Sequence, residues 1–233
     1  MNQKIYTIKL KFVNSYLIKE GSDFILIDTG FAGSRAELEK GINGAGCFPG
    51  NLNLIIITHG DSDHSGNASF LCEKYKAKIA MHKEDSSMAE DFEIQMNSLK
   101  NRRIRGLISS IIFKASLLIA NFPFVKKRML AEFKSFKPDL YLEDGQNLLN
   151  FGLNAKVIHI PGHTKGSIGI LLENGDFIAG DILRNITKPA LSPLIENLND
   201  LDSSIERLKK MDIKMVYPGH GKPFIINELF QKH

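Results

Sequence analysis

Short apolar runs that close on polar, glycine-bearing segments recur along this chain of 233 residues. Residues 52–57 lead into 58–67, residues 155–160 into 161–166, residues 177–179 into Gly180 and Asp181, and residues 213–216 into 217–221. Runs of that length rich in Ile, Leu and Val read as buried strands, and a strand ending in such a loop delivers polar side chains to one edge of a sheet. Residues 1–10 alternate polar and apolar positions, as a half-buried strand does.

The pattern also repeats. Residues 21–28 and 174–181 share one layout: a turn, a short strand, then Asp28 or Asp181. Each follows an apolar strand, residues 15–18 or 167–172, so each pair reads as a hairpin. After each Asp comes a segment of helical period, residues 35–41 or 198–211, and then a strand ending in a His-bearing loop. In the second of these segments Leu201, Ile205, Leu208 and Met211 form a core-facing stripe. Two such halves facing each other predict an α/β fold of four layers, an αββα sandwich of two mixed β-sheets flanked by helices, with the loops on one shared edge. No linker-like tract divides the chain, so residues 1–233 read as a single domain.

Residues 84–137 are an insertion that the two halves do not require. Its early part, to residue 101, is mixed in charge and helical in pattern. From there Lys100, Arg102, Arg103, Arg105, Lys114, Lys126, Lys127, Arg128, Lys134 and Lys137 face the single acid Glu132. Those residues net +9 in a chain whose total is +4, so one segment makes the protein basic. The centre, residues 107–125, is mostly apolar, but Lys114 in mid-run and Pro123 near the end argue against a membrane-spanning helix. The expectation is a helical lid over the shared edge. It packs on itself or on a second subunit as a homodimer, or forms an apolar channel with a cationic rim, suited to an amphiphile with an anionic head or to membrane contact through residues 100–137.

The loops carry the chemistry. Thr58-His59-Gly60-Asp61-Ser62-Asp63-His64 offers four metal-competent side chains, and His163, Asp181 and His220 follow at later strand ends. Imidazole nitrogen and carboxylate oxygen suit zinc, iron or manganese, and seven such ligands fill two sites. With Asp28 in Leu26-Ile27-Asp28-Thr29-Gly30, these motifs resemble, in order, those of the metallo-β-lactamase-fold superfamily of metallohydrolases. The resemblance runs from near Val13 to near Phe224 and departs at Asp61, where the commonest pattern, H-x-H-x-D-H, has a second His. It implies one metal held by His59, Asp61 and His163, a second by Asp63, His64 and His220, and Asp181 bridging them. Zinc is the expected ion of two divalent metals. A carboxylate in place of an imidazole moves preference toward iron or manganese, and equally leaves open a first site that is weak or empty.

The resemblance implies hydrolysis by a metal-acidified water, with Asp63 as catalytic residue, holding or shuttling a proton while also serving as ligand. Asp28 is placed beside the ligands, where it orients an imidazole or merely shapes a turn. His82, His159 and His233 are read as lying outside the site. The leading expectation is cleavage of an ester, thioester, lactone or similar acyl bond in a small-molecule substrate with an apolar part. A phosphodiesterase acting on a nucleotide or phospholipid is the alternative, followed by a non-haem iron redox enzyme and a silent binding protein. Nucleic acid is not an expected partner, because the basic residues flank an apolar run and are not interleaved with base-stacking aromatics. Residues 1–10 lack the apolar core of a signal peptide, and Cys47 and Cys72 form no C-x-x-C pair, which fits a reducing cytoplasm.

Overall fold

The computed structural model describes residues 3–231 and, of residues 107–110, 112 and 113, the backbone only. His233 and the first two residues of the alternating N-terminal run lie outside the described residues. The N-terminal half comprises β1 (Lys4–Lys9), β2 (Asn14–Glu20), β3 (Asp23–Ile27), α1 (Arg35–Gly44), β4 (Leu52–Ile57), the one-turn α2 (Ser62–Ser65), α3 (Ala68–Tyr75) and β5 (Lys78–Met81). The insertion carries α4 (Ser86–Glu90), α5 (Phe92–Asn101), β6 (Arg103–Ile104), α6 (Leu107–Ala120) and α7 (Pro123–Glu132). There follow β7 (Leu140–Tyr141), β8 (Ala155–His159), β9 (Ile168–Leu172), β10 (Asp176–Asn185), β11 (Pro189–Leu191), β12 (Leu194–Ile195), α8 (Leu198–Leu208), β13 (Met215–Gly221), β14 (Phe224–Ile225) and α9 (Ile226–Phe230).

One sheet runs β1-β2-β3-β4-β5-β7 and the other β14-β13-β10-β9-β8, with β11 on β10. In each half an antiparallel hairpin, β2-β3 or β9-β10, is followed by a helix and a parallel strand, β4 or β13. The duplicated layout read from the sequence is therefore a duplicated topology. Because strand side chains alternate between faces, each central strand feeds two cores. Leu17, Leu26, Ile55 and Ile57 pack toward α1 and α3 with Leu38, Ile42 and Leu71. Their neighbours Ile18, Ile25, Ile27, Leu54 and Ile56 meet Val157, Ile168 and Ile170 of the second sheet. On that sheet's far side Ile158, Phe177 and Ala179 pack against Leu201, Ile205 and Leu208. These cores alternate with the layers of the αββα sandwich.

Two details differ from the sequence reading. Asp181 and His220 do not lie beyond strand ends, because β10 continues to Asn185 and β13 to Gly221. The pairing of β10 with β13 is irregular instead, shifting register between Ile178 and Gly180 and again before Arg184. Gly180 adopts φ +52°, and a Cβ there would lie 2.8 Å from Thr58 Oγ1. A bulge at a glycine thus turns Asp181 toward the sheet edge without ending the strand.

The insertion is tied down at several points. β6 pairs antiparallel with β12, Lys126 Nζ lies 2.7 Å from Glu93 on α5, and Phe136 N donates to Ala89 O. Outward, Leu118, Ile119, Phe122 and Phe124 are exposed, Phe124 at 80%. Among the described residues no helix is long and apolar enough to cross a membrane. Ile56, fully buried between the sheets, reports on that packing: Ile56→Ala should cost about 2–5 kcal/mol in urea unfolding. A loss near zero would mean that the two sheets do not share a close-packed core.

Candidate metal centre

The site begins at Asp28, just past β3. This buried residue takes φ +61°, and its N–H donates to Ile56 O at 2.9 Å. That kink aims the carboxylate across to β4. Oδ1 accepts the Thr58 N–H at 2.8 Å, while Oδ2 accepts the Thr58 hydroxyl at 2.8 Å and His64 Nδ1 at 2.7 Å. Thr58 Oγ1 lies 3.0 Å from His59 Nδ1 and, with its own proton on Asp28, accepts there. One carboxylate therefore fixes two imidazoles, His64 directly and His59 through Thr58, and leaves both Nε2 atoms free to face inward. Asp28 shapes the turn and orients the ring, so the two readings of it are one arrangement.

The other two histidines are held by backbone carbonyls, one from each half. His163 Nδ1 is 2.9 Å from Leu194 O, and His220 Nδ1 is 2.6 Å from Phe12 O. Asp63 and His64 ride on α2, whose short turn follows Asp61. His64 Nε2 lies 3.2 Å from Asp181 Oδ1, and His220 Nε2 lies 3.0 Å from Asp181 Oδ2 and 3.4 Å from Asp63 Oδ2. Two groups result, Asp63 with His64, Asp181 and His220, and His59 with His163 and Asp181; within each, ligand atoms lie within 4.8 Å of one another. Asp181 belongs to both. Gly219 permits the approach, since a Cβ there would sit 2.2 Å from Asp181 Oδ1 and 2.7 Å from His64 Cε1.

A divalent ion fits this donor set. His59 Nε2, His64 Nε2 and Asp181 Oδ1 are buried without a hydrogen-bond partner, a costly condition that a metal relieves. The charges agree. Burial would raise the Asp181 carboxyl, yet His220 and His64 hold it well below the usual carboxylate range. Asp63 is likewise lowered, burial being outweighed by the charge of His64 and the hydrogen bond from His220. The Asp181 charge pushes His220 up to about 11 against burial, and burial at His64 is overcome by the charges of Asp181, Asp28 and Asp63.

Asp61 stands apart from both groups. Its carboxylate lies 3.2 Å from His163 Nε2 and 3.4 Å from His59 Nε2, but Arg102 engages both of its oxygens. Burial would raise Asp61, but the charge and hydrogen bonds of Arg102, with the nearby imidazoles, hold it well below the ordinary value.

Three residues of the insertion belong to this centre, although the sequence pattern alone leaves residues 84–137 unneeded by the two halves. Asp85 is buried and accepts the N–H of Gly60 at 2.9 Å and of Gly166 at 2.7 Å, joining the His59 loop to the His163 loop. Gln95 is buried, donates to Gly60 O at 2.7 Å and accepts from Ser62 Oγ. Arg102 is the third. Gln95, Ser98 and Arg102 recur at helical spacing, a polar stripe beside Phe92, Met96 and Leu99. That stripe was the available signal, together with an Asp at a position where a neutral imidazole was expected. His82 and His159 stack on each other with ring centres 4.1 Å apart and, as expected, lie outside both ligand groups.

The fold, the paired histidine-carboxylate groups and their supporting carbonyls make this edge a candidate metal centre. The family description "Metallo-beta-lactamase superfamily" matches residues 8–220, and the chain belongs to that superfamily. A probable metallo-hydrolase of Methanocaldococcus jannaschii, MJ0888, is 31% identical over 215 residues, covering 90% of this chain and 87% of the relative. A hydroxyacylglutathione hydrolase of Francisella tularensis subsp. novicida is 32% identical over 107 residues, 44% of this chain and 42% of that protein. The chain spans only 60% of the length of a Beta-lactamase-like protein 2 homolog of Caenorhabditis elegans, to which it is 22% identical over 96% of its own length. Among solved structures, the metallo-beta-lactamase family protein TTHA1429 of Thermus thermophilus shares the fold with a TM-score of 0.70 at 24% identity, over 96% of this chain and 74% of that one.

Two outcomes follow from the geometry. Asn tolerates the left-handed backbone of Asp28, so Asp28→Asn should keep the fold and lower metal affinity about 10–100-fold in a chelator-competition titration. An unchanged affinity would remove Asp28 from the site. Because the neighbouring carboxylates raise the proton affinity of His220 and His64 in the metal-free protein, and an imidazole must be unprotonated to ligate, metal loading should release protons and apparent affinity should rise with pH. Calorimetry in buffers of different ionisation enthalpy reads this directly. Heats independent of buffer would contradict it.

Proposed function

We propose that this metallohydrolase cleaves an ester, thioester, lactone or similar acyl bond in a small molecule with an apolar part. One observation carries the reading: a cavity of about 810 Å³ has Asp63, His163, Asp181 and His220 among its lining residues, and apolar side chains of the insertion form much of its wall. Phe92, Met96, Leu99, Leu117 and Phe133 come from that insertion, and Phe31 and Leu194 from segments outside it. A pocket so lined suits a hydrocarbon or aromatic moiety and excludes water around the reacting bond. The partial likeness to a hydroxyacylglutathione hydrolase, a name denoting an acyl-group hydrolase, supports the same bond class.

Divalent ions held by these ligands supply Lewis acidity and an acidified water. The protein's own part is proton handling and orientation. The Asp63 side chain retains 21% exposure, against 11% for Asp181 and 7% for Asp61, and lies beside His220 on the cavity side. It can hold a proton during attack and return it to the leaving group. Arg184 and Lys134 also line the cavity and give an anionic end of the substrate a counter-charge. They equally favour a phosphodiester reading, which the same assay separates.

Purified, metal-loaded protein should hydrolyse acyl thioesters and aryl esters and act only weakly on bis-aryl phosphodiesters. Asp63→Asn should lower kcat by about 10²–10⁴-fold with far less change in KM. Met96→Trp, which fills the cavity, should raise KM for long acyl chains more than for acetyl. Turnover of phosphodiesters alone would overturn the acyl reading.

A further inference from the structure

A buried arginine lies beside the first histidine pair. Arg102 leaves the C-terminal end of α5 with a side chain that is fully buried. Its Nη1 donates to Asp61 Oδ2 at 2.5 Å and its Nη2 to Asp61 Oδ1 at 2.7 Å, a two-pronged pair. Nη2 also donates to Ser98 Oγ at 3.1 Å, on the preceding turn of the same helix. Nη1 lies 3.4 Å from His163 Nε2, an atom that would have to face a metal ion. A guanidinium does not lose its proton in a protein, so this charge is permanent. The other group is different. Among the described residues, the ion pairs of Asp63 and Asp181 are all with histidines.

We propose that Arg102 is the resident cation of the first site: it neutralises Asp61, so that His59 and His163 hold a metal ion far more weakly than Asp63, His64, Asp181 and His220 do. This rests on the metallohydrolase reading and deepens it. A carboxylate closed on both oxygens offers a dication little charge, and the guanidinium itself repels one. Asp61 is then a counter-ion that fixes the root of the insertion, and metal content becomes asymmetric: one firmly bound ion per chain and one exchangeable.

The test is metal binding, read without substrate. Full-length metal-free protein is titrated with zinc by calorimetry, and its zinc content is measured by elemental mass spectrometry after dialysis at fixed free zinc. Wild type should show one tight ion and a second weaker by at least about tenfold. Arg102→Met, which removes the charge and keeps apolar length, should tighten the second site by about tenfold and carry two ions through dialysis. Arg102→Lys, retaining charge without the fork, should fall between them; it also serves if Arg102→Met fails to fold by circular dichroism. Two equally tight ions in wild type, or a second constant that neither variant moves, would overturn the proposal. Absence of any bound ion would instead sink the metallohydrolase reading itself.

Discussion

A single buried carboxylate, that of Asp28, sets the geometry on which the centre depends. A charge removed from water is tolerable only where several donors converge on it. Here the donors are the Thr58 amide, the Thr58 hydroxyl and His64. Satisfying Asp28 therefore forces β3 and β4 into one register at their ends, directs both early imidazoles, and seats α2 where Asp63 can face the cavity. The left-handed backbone at Asp28 is the strain that this arrangement carries, and the surrounding sheet is rigid enough to hold it. At the same edge, backbone carbonyls of Phe12 and Leu194 do for His220 and His163 what Asp28 does for His64.

Much of this was legible in the sequence because the informative relations are local. A buried strand with a core on each face must be apolar at nearly every position, and residues 52–57 are so except at Asn53. The metal-competent residues sit within a few positions of such runs, so their convergence follows from topology once two hairpin–helix–strand halves are recognised. The hairpin of residues 21–28 and that of residues 174–181 announced those halves. Strand ends were less legible. Nothing in Gly180-Asp181 distinguishes a glycine that stops a strand from one that bulges it, since both want the same backbone freedom.

Least legible were Asp85, Gln95 and Arg102, whose partners lie far away in sequence. Asp85 reaches back to Gly60 and forward to Gly166, and Arg102 reaches back to Asp61. A charge count registers Arg102 as one basic residue among many in a basic segment. Only burial separates it from Arg103, which is exposed. The insertion consequently has two characters: a root, residues 85–102, woven into the ligand loops, and an outer pair of helices, α6 and α7, that supplies apolar walls to the cavity and an apolar face to the surroundings.

The hydrogen bonds of Asp85 have a mechanical consequence. The Gly60 loop belongs to one half of the sandwich and the Gly166 loop to the other, so one buried carboxylate rivets the two halves beside the candidate metal ligands. Any spreading of the sheets at this edge would strand that charge with an amide lost, which makes a clam-like opening of the halves costly. The path by which a substrate reaches the ligands therefore depends on the outer helices, whose side chains wall the cavity: the sandwich is the anvil, and whatever moves must move above it.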